Sequence, residues 1–65
     1  MKTPKEVGEI LRGLRGERGL KEVAAELGMS WRTLQSYETG VRSPRDTKKE
    51  QIAKYYKKTI TDIFF

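Results

Sequence analysis

The stretch LKEVAAELGMSWRTLQSYETGVRSP, running from Leu20 to Pro44, decides how this chain is read. Leu20, Val23, Ala24 and Leu27 recur at i, i+3, i+4 and i+7, the spacing of one face of a short helix. Gly28 ends that helix, because glycine adopts the left-handed conformation of a helix terminus without a Cβ penalty. Only Met29 intervenes before Ser30, whose hydroxyl can accept from the free amides of a new helix. Leu34 and Tyr37 are the inward positions of this next helix, and Gly40 stops it. So tight a turn sets two helices at a steep angle, and Ala24 is small where their axes must approach. With Leu34 and Tyr37 turned inward, Trp31, Arg32, Gln35 and Ser36 are left on the outer face.

Outward from this pair, the same local signals repeat. Thr3-Pro4-Lys5-Glu6 combines a capping threonine, a proline suited to the first helical position and a glutamate that completes a capping box. Val7, Ile10, Leu11 and Leu14 then share one helical face. Gly8, Gly13 and Gly16 are expected to weaken this helix, since an interior glycine costs roughly 1 kcal/mol against alanine. Thr39 to Pro44 reads as a loop, and Ser43-Pro44-Arg45-Asp46 repeats the cap-proline-acid pattern as the start of a fourth helix carrying Ile52, Ala53 and Tyr56. Thr59-Ile60-Thr61-Asp62 opens a short fifth helix with Ile60, Ile63 and Phe64 inward. No segment alternates with period two, so no strand is expected. The expected architecture is all-α: a compact five-helix bundle, one domain over 1–65, with helices near 4–16, 20–27, 31–39, 44–56 and 60–64. Its expected core is Val7, Leu11, Leu14, Val23, Ala24, Leu27, Leu34, Tyr37, Ile52 and Ile63.

Composition limits the function classes. There is no cysteine and no histidine, which removes disulfides, thiolate or imidazole metal sites and thiol or imidazole catalysis. The carboxylates pair with nearby Lys and Arg at helical spacing rather than converging, and so small a bundle has little cavity, so enzyme activity is not expected. No cofactor, metal or small-molecule ligand is expected. No apolar run approaches the roughly 20 residues of a membrane span, and the charged opening has no signal-peptide core, so a cytoplasmic protein is expected. The net charge is +5. Residues 30–65 hold eight basic and four acidic side chains against six and five in residues 1–29, so the excess lies in the second half. Polyanions are the natural partner of that distribution, with a solvated surface as the plainer reading.

The ordered combination of Ala24, Gly28, Met29 and Ser30, then Tyr37-Glu38-Thr39-Gly40 with Arg42 and Pro44, resembles the Cro and phage-repressor family of helix-turn-helix domains. Ile52-Ala53-Lys54-Tyr55-Tyr56 and Ile60 to Phe64 are similar to that family's fourth and fifth helices, so the resemblance covers nearly the whole chain. It implies a lambda-repressor-like bundle and a bacterial or phage-type transcriptional regulator, a repressor of phage or mobile-element kind, bound to operator DNA in the nucleoid. It places Trp31, Arg32, Gln35 and Ser36 where the family reads bases, and Thr33 and Arg42 where it grips phosphate. It also implies an ion pair between Arg15 and Glu38. The chain departs from the pattern twice. Leu20 stands where the family has a glutamine that holds the DNA backbone, so that contact is either lost or replaced by the charge of Lys21. Lys57 stands at the usual glycine after the fourth helix, where a left-handed conformation would cost roughly 1 kcal/mol.

Side-chain chemistry adds to this assignment. Arg32 is the best base reader, because a guanidinium pairs with guanine O6 and N7. Trp31 either touches a thymine methyl or sugar, or folds back as a staple against the core. Arg42, Arg45, Lys48 and Lys49 flank the loop and the start of the fourth helix, either as phosphate contacts, with Arg42 foremost, or as a solvated face. Ile63-Phe64-Phe65 carries more apolar surface than a short last helix easily buries, so a homodimer contact is expected there. A second reading keeps the fold without DNA: a protein-interaction module of antitoxin or antirepressor type, favoured by Leu20.

Overall fold

Thr3 starts the first helix of the computed structural model, which describes residues 1–65. Its hydroxyl accepts from the Glu6 amide at 3.2 Å, and the Glu6 carboxylate accepts from the Thr3 amide at 3.0 Å. This reciprocal box satisfies two amides that no helical carbonyl reaches. Helix α1 runs Pro4–Arg15, followed by α2 Leu20–Glu26, α3 Trp31–Thr39, α4 Asp46–Tyr55 and α5 Ile60–Phe64. A second box, Thr59 with Asp62, opens α5. There are five helices and no strand.

One boundary differs from the sequence reading for a physical reason. Helix α4 begins at Asp46, and Arg45 is its cap residue, in extended backbone and without a side-chain cap bond. Ser43 and Pro44 lie outside the helix, and Pro44 is buried. The proline acts as a packing group that closes the α3–α4 loop rather than as the first residue of a helix.

Helix α3 packs against α1 and α2, and α5 packs against α4 and α1. Leu11, Val23, Leu27, Leu34, Ile52 and Ile63 are the largest fully buried side chains. Val7, Ala24 and Tyr37 join them as expected, together with Ala53 and Phe64. Leu14 is the exception: it is only partly buried and packs on the margin of this cluster. Fully burying a Leu, Ile or Val side chain contributes about 1.5–3 kcal/mol, so these eleven residues hold the bundle together.

Gly8 is no defect in α1. A Cβ built there would lie 2.3 Å from the Glu38 carbonyl oxygen and 2.8 Å from that of Tyr37. The backbones of α1 and α3 therefore touch at this position, and any side chain would force them apart. Gly40 makes a matching approach, with φ 80° and an ideal Cβ 2.9 Å from the Lys5 Cα. These two contacts fix the C-terminal half of α3 against the first half of α1.

Candidate nucleic-acid interface

The turn between α2 and α3 is built by its own backbone. Met29 N–H donates to the Ala24 carbonyl at 3.0 Å and Gly28 N–H to that of Ala25 at 3.1 Å, with Gly28 at φ 70°. This is the Schellman pattern of a helix end closed by a left-handed residue. Ser30 Oγ then accepts from the Thr33 amide at 3.2 Å and starts α3. The Gln51 side-chain amide donates to the Leu27 carbonyl and ties α4 to the turn.

Helix α3 is held on its inner side by more than apolar packing. Arg15 Nε donates to Glu38 Oε2 at 2.8 Å and Arg15 Nη2 to Glu38 Oε1 at 3.0 Å, while Nη1 donates to the Arg18 carbonyl at 2.7 Å. Only 16% of the Arg15 and 5% of the Glu38 side chain is exposed. The bond to Glu38 raises the Arg15 pKa above its ordinary value. A two-bonded Arg–carboxylate pair fixes orientation as well as distance. Nearby, the Tyr56 hydroxyl is buried without a partner, and its pKa is pushed up to about 12, first by burial and then by the Glu38 charge.

The outer side of α3 presents the residues singled out in the sequence. Arg32 and Gln35 are exposed, and Trp31, Thr33 and Ser36 are half-buried. Ser36 Oγ donates to its own helix, to the Arg32 carbonyl at 2.9 Å, which leaves it acceptor capacity toward solvent. Thr33 Oγ1 lies 2.9 Å from Ser30 Oγ, so it belongs to the helix cap as well as to the surface. Lys21, Arg42 and Arg45 are exposed, whereas Lys48 is half-buried with its ammonium 3.4 Å from the Gln51 side-chain oxygen. Leu20 packs against the core, so the first residue of α2 turns no polar side chain toward a ligand and leaves only its backbone amide.

Other contacts had no signal in the sequence. Lys21 Nζ lies 5.6 Å and Arg32 Cζ 5.4 Å from the centroid of the Trp31 ring. Arg18 donates to the Tyr55 hydroxyl at 2.9 Å, and that hydroxyl donates to Glu26. This chain joins the α1–α2 connection, α4 and α2. Its members are 29 and 37 residues apart, beyond the reach of any local pattern.

A helix whose inner side is locked and whose outer side offers donors is suited to a DNA major groove. The model of a family described as helix-turn-helix, the Cro and phage-repressor type, matches residues 11–63. The chain belongs to that family. Helices α2 and α3 are the two arms of its helix-turn-helix, and the five-helix bundle is consistent with a lambda-repressor-like fold. Membership indicates a DNA-binding regulator. No curated protein matches this helix-turn-helix chain, and no solved structure does. No helix is long and apolar enough to cross a membrane.

Proposed function

We propose that this helix-turn-helix protein is a sequence-specific transcriptional regulator, a repressor of phage or mobile-element type, that lays α3 in the major groove of its operator. The observation that carries this reading is the outer face of α3. Arg32 and Gln35 are exposed there with Ser36 beside them, on a helix whose other side is pinned by Arg15–Glu38. Arg32 reads guanine, while Gln35 and Ser36 serve neighbouring base edges. Lys21, Thr33, Arg42, Arg45 and Lys48 hold phosphates on either side; Thr33 and Lys48 are half-buried, and Lys48 must leave its contact with Gln51 to do so. Phosphate contacts supply most of the affinity and base contacts the specificity. The protein acts in the cytoplasm on nucleoid DNA, without a cofactor.

Two variants test the assignment on a duplex selected from a random pool and on an unrelated one. Arg42→Ala should weaken binding to both about equally and make the salt dependence shallower by roughly one unit. Arg32→Ala should weaken the selected duplex alone, by about 1–3 kcal/mol. A parent protein without affinity for either duplex at low salt would instead indicate a protein-interaction module.

A further inference from the structure

We propose that Trp31 is a positioning residue whose indole holds the Lys21 ammonium and the Arg32 guanidinium over one ring, presenting a cation from α2 and a cation from α3 to DNA as a single unit. The inference rests on the reading of α3 as the groove-facing helix and adds what orders its best base reader. Trp31 is the first residue of α3, directly after the Ser30 cap, and its half-buried ring packs against the core. Its position is therefore fixed by the bundle. The two cations are exposed, and each lies 5.4–5.6 Å from the ring centroid, within the distance at which an aromatic face attracts positive charge. Neither is in an ion pair, whose only members are Arg15 with Glu38 and Lys49 with Asp46.

That combination has a consequence for binding. Long cationic side chains lose rotamer freedom when they engage a ligand, and a partner that orders them beforehand reduces the loss. Two cations around one ring also repel each other until an anion or an electron-rich base edge meets them. The unit is thus ordered but not neutralised, as a carboxylate would neutralise it. It also gives Lys21 a defined place beside Leu20, which contributes no polar side chain. Trp31 accordingly acts through its neighbours, and the indole is neither a base reader nor only a staple.

The test has one readout on the free protein and one on DNA. In the free protein, ring currents should move the Lys21 ε-methylene and Arg32 δ-methylene proton signals upfield, and Trp31→Leu should abolish both shifts. On a selected duplex, Trp31→Leu should weaken binding by about three- to tenfold, and Trp31→Phe should restore most of it. In a Lys21→Met/Arg32→Met background the same Trp31→Leu change should have less than about a twofold effect, because no cation remains to be positioned. An equal loss in that background would mean that the indole touches DNA itself and would overturn the proposal. So would unshifted methylene signals in the parent protein, or unchanged affinity in Trp31→Leu. If Trp31→Leu does not fold by thermal melting, Lys21→Met and Arg32→Met are compared singly and together. The proposal then expects their losses to be non-additive, and strict additivity contradicts it. Shifted methylene signals in a parent protein that binds no duplex would leave the platform standing and remove the DNA reading.

Discussion

Glu38 is a carboxylate with only 5% of its side chain exposed, and the Arg15 guanidinium is what makes that burial tolerable. Removing one partner of such a pair leaves the other charge uncompensated in a poorly solvated place. Glu38→Ala should therefore destabilise the fold by about 3 kcal/mol, well beyond the effect of a surface pair. A thermal or urea melt measures it, and a change below about 1 kcal/mol would mean that the pair behaves as a solvated one. Tyr56 poses the opposite problem, a buried hydroxyl with no partner. Its pKa rises from 10.0 to about 12 on folding, so the folded state keeps the phenol proton where the unfolded chain loses it. The associated stability is complete below about pH 10 and is lost as pH rises toward about 12. Tyr56→Phe should hold or raise the melting temperature at pH 7 and reduce the loss between those two pH values. A lower melting temperature at pH 7 would show that the hydroxyl has a partner.

The elements of this protein were largely legible in its sequence, because their ends are local. Thr3 with Glu6, Ser30 and Thr59 with Asp62 are caps separated from their partners by three residues, and each forms as expected. The apolar periodicity identified most of the core. What the sequence does not make legible depends on distant partners. Gly8 read as a weak point of α1, but its missing Cβ is what lets α3 approach. Pro44 read as a helix start, but it is buried in a loop. The outward side of α3 followed from the inward placing of Leu34 and Tyr37, whereas the stacking of Lys21 on Trp31 could not be foreseen. The end of α4 bears out a local expectation. Lys57 sits at φ 57°, with Lys58 N–H donating to the Ala53 carbonyl at 2.9 Å and Lys57 N–H to that of Lys54 at 3.1 Å. A non-glycine residue in this conformation costs roughly 1–2 kcal/mol, part of which glycine returns through its looser unfolded state. Lys57→Gly should therefore stabilise the protein by about 1 kcal/mol, read as a higher melting temperature. A fall would mean that the lysine side chain contributes more than its backbone strain removes.

On the scale of the whole molecule, the bundle measures 28 × 22 × 21 Å, less than the roughly 34 Å between successive major-groove faces on one side of a duplex. Under the proposed function one copy would cover one half-site, and one helix with a few reading side chains is a weak address among the many competing sites of a genome. Two copies on a palindromic operator are the proposed functional state. The surface available for their contact is narrower than the sequence suggested. Ile63 and Phe64 are 1% and 4% exposed, so they belong to the chain's own core, and Phe65 at 48% is the apolar side chain of this segment left over. It borders a shallow cleft of about 170 Å³ with Val7, Pro44 and Phe64. Sedimentation with a palindromic duplex should give two proteins per duplex at saturation, and Phe65→Ser should weaken the second binding step while leaving the fold intact; a complex that stays at one per duplex contradicts this. The central claim, that α3 meets DNA, is tested most directly by following backbone amide signals as a selected duplex is titrated into the protein at low salt. The account predicts that the largest shifts fall between Ser30 and Arg42, led by Trp31, Arg32 and Gln35, with Lys21 as an outlier on α2. Shifts confined to α4 and α5, or no shifts at all, would contradict it.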